Sequence, residues 1–501
     1  MLVGVDIGGT NTDAVVINED EVISLKVPNE EGFSVIFERL PEIKKNSRVA
    51  VSTSLPLNLL LSRAQEHPTL TLLFPGPGLN LSSKGVVLRG YVNHRGDSVE
   101  EIDESEVRRV LQRGNFSNVA IASKFSVRNS EIEERVFRIA KEYVEERMIA
   151  LSRHCGGMNY PLRINTSVVN AKIRKTVFEL TEIVRRYFKD FLYYKGDGGL
   201  IPYKLALDNP SLLYNSSPAA VALGAHFLSE EEDALVVDIG GTTTDFVLLE
   251  RGLPKLVENA VILGERTLVR CVNSVSIPFG GDSLIHEGKL LPRREGKPIA
   301  FGGDKPTLTD VLNLEGFEIG DYRASLRCEE LREVDHTKII EEFLKKIVEK
   351  INDFRTDKVV LGGYLSKHLE KLISERTSSK VIVPKHSEVM NAVGVAVSRI
   401  SLTVYARFDT VNSKAVFNGV IESSPFSRGS SPSEEELFEE ARKKLFEIVK
   451  SYGFEPEGEP EIVYFNSYPV LRGGWRQGII ADLIIQLKPG LSEEAKKLRG
   501  C

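Results

Sequence analysis

Two nearly identical segments, DIGGTNTD at Asp6–Asp13 and DIGGTTTD at Asp238–Asp245, lie far apart in this chain. Each follows an apolar run (Leu2–Val5, Ala234–Val237) and precedes another (Ala14–Ile17, Phe246–Leu249). The pattern predicts strand, Gly-Gly turn, strand: a β-hairpin whose tip exposes N–H groups and hydroxyls. Glycine lets a backbone approach an anion closely, and successive N–H groups form a concave anion site. A carboxylate just before such a turn would repel phosphate, so Asp6 and Asp238 are expected to hold Mg²⁺ through water or to serve the attacking group. One such hairpin could be a sharp structural turn. Two near-copies read as paired jaws around one polyphosphate.

At the tips, Gly8, Gly9, Thr10, Asn11 and Thr12, with Gly240, Gly241, Thr242, Thr243 and Thr244, are the expected phosphate ligands. Threonine is also common in plain strands, so not all of these should touch ligand. For Asp13 and Asp245, turn hydrogen bonding competes with a catalytic role. Val359–Leu361 followed by Gly362-Gly363 reads as strand, glycine pair, helix start, a junction against which a nucleoside can pack. Gly280-Gly281-Asp282 reads as a third anion or substrate loop, and Gly302-Gly303-Asp304 with Thr307–Asp310 as another wall. Asp282 and His154 are the remaining catalytic candidates, and His94 sits in a second polar loop.

The order of elements is that of an α/β protein. Strands are expected at Glu21–Val27, Val119–Phe125 and Ile149–Ser152, and helices at Phe33–Lys44, Ser105–Arg113 and Asn129–Met148. A long helix follows at Thr166–Phe188, and then a helix of small residues at Pro218–Leu228, suited to close packing or to a path between domains beside a cleft. The second hairpin opens another α/β unit. Beyond residue 400 come strands at Leu402–Arg407, Ala415–Ile421, Glu461–Phe465 and Gly478–Leu487, with a charged helix at Glu434–Tyr452. Asn466–Tyr468 and Arg472–Arg476 read as solvated loops. The expected units are residues 1–165, 166–400 and a small α+β unit at 401–501.

Net charge is −6, from 65 basic and 71 acidic residues, which gives no sign of a nucleic-acid or membrane-surface role. No apolar stretch approaches bilayer length, and Met1 runs directly into a strand without room for a signal peptide, so a cytoplasmic location is expected. Cys155, Cys271, Cys328 and Cys501 show no CxxC spacing, which disfavours zinc or iron–sulfur ligation. Few Gln, Met and Trp beside many Glu, Lys and Arg hint at a thermophile.

Two such hairpins with a late glycine-pair junction resemble the superfamily of acetate and sugar kinases, heat-shock chaperone ATPases and actin. Within it, residues 1 to about 400 resemble the hydantoinase A/5-oxoprolinase family. The resemblance rests on ordered blocks: Gly4–Asp13, Gly90–Gly96, Ile164–Ala171, Gly196–Gly199, Ser217–Ala220, Asp238–Asp245 and Gly303–Asp310. Asn170-Ala171, Ser217-Pro218-Ala219-Ala220 and Pro306–Asp310 are the discriminating pieces; Ser152–Gly157 matches the family's serine-histidine segment only loosely. The resemblance implies duplicated ribonuclease H-like nucleotide-binding domains flanking a cleft, with ATP and Mg²⁺ between the hairpins. It implies ATP-dependent opening of a cyclic amide, a hydantoin or 5-oxoproline-like lactam. The amide oxygen takes the γ-phosphoryl group and water then attacks the ring carbon, chemistry that needs positioning and charge neutralisation. The family's second, hydantoinase B-like subunit has no counterpart here, so the chain could be the phosphorylating half alone. Two other readings stay open: a small-molecule kinase with Asp197 or Asp282 as base, and an ATP-driven switch or assembly protein.

Overall fold

A computed structural model describes residues 1–9, 11–19, 21–29, 34–40, 43, 48–61 and 68–499. Both repeated segments form hairpins. Leu2–Ile7 pairs antiparallel with Asn11–Ile17, Asp6 opposite Asp13. Ala234–Ile239 pairs with Thr244–Glu250, Asp238 opposite Asp245. The turns close alike: the Gly8 N–H donates to the Asn11 carbonyl and the Gly240 N–H to that of Thr243, both at 3.0 Å. Each first strand has a parallel neighbour, Arg48–Thr53 in one half and Lys358–Gly362 in the other. Strands covered on both faces need continuous apolar runs, and Leu2–Ile7 is buried along its whole length.

The first hairpin lies in a six-stranded sheet of spatial order Leu200–Pro202, Leu192–Tyr194, Arg48–Thr53, Leu2–Ile7, Asn11–Ile17, Val22–Pro28. The second lies in a sheet ordered Leu253–Pro254, Thr244–Glu250, Ala234–Ile239, Lys358–Gly362, Lys380–Ile382, with Ser274–Ile277 also on Thr244–Glu250. The expected boundary at residue 165 does not separate these sheets. It falls inside the helix Tyr160–Arg185, and the strands Leu192–Tyr194 and Leu200–Pro202 beyond it complete the first sheet. That helix starts earlier than Thr166 because Asn159 caps it and Pro161 fits its first turn.

A parallel sheet of Ile149–Leu151, Asn118–Ser123, Thr69–Phe74 and Val86–Val87 is inserted in the first half. The expected helix Asn129–Met148 is shorter, Glu131–Ala140, followed by turns and a single 3₁₀ turn at Glu146–Met148. Of the expected Phe33–Lys44 helix, Ser34–Arg39 is described, and the ends at Phe33 and Lys44 lie outside the described residues. The carboxy-terminal sheet is antiparallel, ordered Val420–Ser423, Lys414–Phe417, Thr403–Asp409, Trp475–Gln486, Glu461–Arg472. Two expectations change there. Ala415–Ile421 is two strands, because Asn418 and Gly419 both take positive φ and make the tight turn such a pair favours. Asn466–Tyr468 is strand rather than loop, and Gly473-Gly474 alone turns the long hairpin. Core residues of this sheet, among them Phe408 and Leu483, share one apolar cluster with the first sheet. Among the described residues no helix is long and apolar enough to cross a membrane.

Two helices join the halves, α1 (Ser216–Ser229) and α2 (Met390–Val397). Each leaves one sheet and packs on the other: α1 follows the first sheet and lies on Thr244–Glu250 and Ala234–Ile239, while α2 follows the second and lies on Leu2–Ile7 and Asn11–Ile17. They cross in backbone contact. A Cβ on Gly394 would strike the Ala220 carbonyl, one on Gly224 the Met390 carbonyl, and one on Gly4 the Ala392 carbonyl. The small-residue composition of α1 is thus read out as close packing at the seam. Gly394→Val should destabilise the fold by about 3 kcal/mol, since the clash is with backbone that cannot turn aside. A denaturant midpoint within error of wild type would refute this packing.

Candidate functional site

The cleft is built on register. In the first sheet Asp6 lies opposite Ser52, and in the second Asp238 lies opposite Gly362. The serine hydroxyl donates to Asp6 Oδ1, whereas glycine offers Asp238 nothing. The start of α2 adds Asn391, whose amide donates to Asp6 Oδ2 at 2.7 Å and to Asp13 Oδ2 at 3.2 Å. The start of α1 adds the Ser217 hydroxyl, 3.5 Å from Asp6 Oδ2. Asp6 is therefore buried and surrounded by donors. Asp238 is half-buried, and no side chain among the described residues donates to it.

Lys26 is the cation of the cleft. It sits opposite Asp13 on the neighbouring strand and grips both its oxygens, at 2.8 and 3.1 Å. Burial works against its charge, but Asp13, with Asp238 and Asp6 beyond it, holds it above the usual lysine value. Burial raises Asp6 to about 6, with Asp13 adding to the rise and Ser52 and Asn391 opposing it. Asp238 is pushed up to about 7 by burial and then by Asp245, Asp6 and Asp13, with Lys26 opposing. Asp6, Asp13 and Asp238 thus share one nearby lysine.

The hairpin tips divide their groups. The N–H groups of Gly9, Gly241 and Thr242 have no acceptor among the described residues, and neither does the Thr242 hydroxyl. Thr243 Oγ1 donates to Asp245. The hydroxyls of Thr12 and Thr244, expected to face phosphate, are engaged within the protein: Thr12 Oγ1 donates to Asn29 Oδ1 at 2.9 Å and Thr244 Oγ1 to the Phe279 carbonyl at 2.8 Å. Both side chains are buried between strands. Asn11 begins the second strand of its hairpin, and Thr10 lies outside the described residues.

Gly280 and Gly281 stand behind the second tip rather than presenting free amides. The N–H of Gly281 donates to the Gly240 carbonyl and that of Asp282 to the Gly241 carbonyl, while the Gly280 N–H goes to Ser283 Oγ. Asp282 is held by Arg294 at 3.2 Å and by the Tyr364 hydroxyl at 3.1 Å, close enough to Gly241 that a Cβ there would meet its carboxylate. Gly363 admits Asp238 in the same sense: a Cβ there would come within 2.9 Å of Asp238 Oδ1. Thr309 Oγ1 donates to the Gly281 carbonyl at 2.8 Å and shares a hydrogen bond with Tyr364. Asp310 closes a capping box with Thr307 and takes the Ala300 N–H and Ser325 hydroxyl, so Pro306–Asp310 locks the loop from behind.

His154 does not join this cleft. Its charged neighbours are Asp208, Arg153 and Arg174, and burial lowers it to about 4. The His94 carbonyl accepts from Arg128. Gly302 turns the chain after Phe301, whose ring meets Tyr364 edge-on at 5.8 Å. Asp197 is buried with Lys195 at 2.9 Å. Sequence reasoning missed Lys26, Ser52, Asn391 and Tyr364. Only Lys26 carried a signal, as the strand neighbour of Asp13.

Two family models match the chain: the hydantoinase/oxoprolinase N-terminal region over residues 2–144 and hydantoinase/oxoprolinase over residues 163–357. Among solved structures it is similar to nucleotide-free acetone carboxylase, an enzyme of ATP-dependent acetone carboxylation. That match has 17% identity and a TM-score of 0.68, covering 99% of this chain and 83% of that one. It is similar also to the ATP-dependent caprolactamase from Pseudomonas jessenii, with 16% identity and a TM-score of 0.61, covering 97% and 87%. At such identities the likeness is one of fold, a mixed α/β architecture. No curated protein matches by sequence.

Asp238 has a pH signature. Its folded value near 7 exceeds the ordinary 3.8, so the folded chain binds the proton more tightly and loses stability as pH rises from about 4 through about 7. Asp238→Asn should be more stable than wild type at pH 8 by roughly 1–2 kcal/mol, a figure reduced for its partial exposure. The gap should close at and below about pH 4. Urea midpoints across this range test it, and a wild type no weaker than the variant at pH 8 contradicts it.

Proposed function

Because this chain belongs to the hydantoinase/oxoprolinase family, we propose that it is an ATP-dependent hydrolase of a cyclic amide, or the phosphorylating half of one. Mg-ATP would lie between the two hairpins, in a pair of ribonuclease H-like domains. The carrying observation is the pairing of N–H groups at Gly9, Gly241 and Thr242 with the carboxylate of Asp238, none of which has a hydrogen-bond partner among the described residues. N–H groups of this kind are built for phosphate oxygens. The ATP dependence of both structural neighbours supports the nucleotide, and the lactam ring implied by a caprolactamase supports the amide.

Mg²⁺ fits the residues present. Asp238 has oxygen lone pairs to offer, and the like charges of Asp6, Asp13 and Asp245 raise its value in the absence of a further cation. Among the described residues no three His, Cys, Asp or Glu cluster tightly enough to hold a metal alone. Mg²⁺ keeps several waters and binds through one or two carboxylates and substrate phosphates, which suits Asp238 with Asp6 behind it. When bound it supplies charge neutralisation on the phosphates. Lys26 adds a second positive charge. The amide oxygen takes the γ-phosphoryl group and ADP leaves; water adds to the ring carbon, the C–N bond breaks to leave an open-chain acyl phosphate, and a second water releases phosphate and the free acid. A kinase would need a carboxylate free to take the acceptor's proton, and Asp197 and Asp282 are both held in ion pairs.

ATP with Mg²⁺ should raise the melting temperature, by an amount equivalent to about 2.7 kcal/mol at a hundredfold excess over Kd. No shift with any nucleotide at millimolar concentration would sink the nucleotide site. In a panel of hydantoins and lactams, a true substrate should stimulate ADP release, and Asp238→Asn should lose about 100-fold or more of that turnover while still folding. Turnover retained by the variant would remove Asp238 from the reaction. If a second, hydantoinase B-like subunit carries out hydrolysis, ADP should appear without matching ring-opened acid. Equal yields from this chain alone would make it a complete hydrolase.

A further inference from the structure

The two seam helices have far ends as well as near ones. Their starts, Ser217 and Asn391, reach Asp6, and their other ends border an open cavity of about 370 Å³. It is lined by His226 near the end of α1, Arg251 and Gly252 at the turn after the second hairpin, Arg399 just past α2, and Lys496 and Arg499 from the carboxy-terminal helix. The 14 residues of α1 set this cavity about 20 Å from the hairpin tips. No acidic side chain lines it.

Local structure uses some of this charge. Arg499 donates to the His226 carbonyl at the end of α1, where cations are favoured, and feels Glu230 and Glu232 nearby. Arg399 donates to the Lys488 carbonyl at 2.8 Å and to that of Pro489 at 3.4 Å. Lys496 pairs with Glu493 at 2.7 Å on the surface, a contact of small worth.

More remains than these contacts absorb. Arg499 Nε is buried with no hydrogen-bond partner. The Arg251 guanidinium has no partner among the described residues, and its backbone holds a left-handed φ of 54° that arginine rarely adopts. His226 adds no positive charge. Its Nδ1 lies 2.8 Å from the Glu231 carbonyl and must donate, so Nε2 is left to accept from Arg499 at 3.2 Å, a neutral ring.

We propose that this cavity is a binding site for a small phosphate-bearing molecule, separate from the cleft. Three guanidinium groups converge on it, and their planar forks match phosphate oxygens in a way ammonium groups do not. A phosphate would satisfy the exposed Arg251 guanidinium, and the charge present exceeds what one carboxylate would neutralise.

Isothermal titration of the full chain with inorganic phosphate, and then with pyrophosphate, tests the site. Arg251→Asn with Lys496→Gln removes two exposed cations and leaves the fold in place, because asparagine tolerates the left-handed turn. Lys26→Met removes the cation of the cleft instead. The cavity variant should lose at least about tenfold in affinity at this site, which the Lys26 variant should keep whatever it loses at the hairpins. The reverse pattern would put the phosphate at the hairpins, and equal behaviour of both variants would put it elsewhere. Either result, or no binding by wild type up to about 10 mM, overturns the proposal. Neither arm depends on the substrate of the cleft or on turnover there.

Discussion

Backbone contact between α1 and α2 is the constraint from which the rest follows. Gly224 and Gly394 bring the helices so close that each nearly touches the carbonyl of the other, and Gly4 lets α2 settle on the first sheet. Each helix packs on the sheet it does not directly follow, so the two halves are interleaved at the seam. This geometry delivers Asn391 and Ser217 to Asp6 from opposite directions. A larger residue at the crossing would push the helices apart and withdraw both donors from the cleft.

The hairpins are near-copies in sequence, but their aspartates are not equivalent. The difference lies in the neighbouring strands, with serine opposite Asp6 and glycine opposite Asp238. Both helix starts serve Asp6, and nothing comparable serves Asp238. One carboxylate is therefore fixed in place and the other left open. A half-buried acid with no donor among the described residues and like charges nearby is held toward its protonated form, and an arriving cation would reverse that. The division suits a site in which one half supplies rigidity and the other a vacancy for charge.

Several motifs that resemble catalytic signatures perform structural work. Pro306–Asp310 locks the Gly280–Asp282 loop, and that loop props the second hairpin tip through two backbone hydrogen bonds. Gly363 makes room for Asp238. Asn170 joins Asn209 and the Ser211 N–H beside the long helix. A tip proposed to meet phosphate without reorganising would need this support, since electrostatic stabilisation works only when the groups are already in position.

The sequence by itself determined the two hairpins, the α/β class, the small-residue helix and most strand and helix positions. These depend on local periodicity and turn chemistry, which a linear reading contains. The family resemblance was legible for the same reason, in short ordered blocks. What only the tertiary structure decided was which groups meet. Ser52 reaches Asp6 through strand register, Asn391 through a helix almost four hundred residues away, and Thr12 and Thr244 turn from the tip to Asn29 and Phe279. Strands at Leu192–Tyr194 and Leu200–Pro202, beyond the expected boundary near 165, return to the first sheet by hydrogen bonds that no local pattern records. Register and helix crossing are long-range choices, set by which surfaces bury one another, and composition along the chain does not encode them separately.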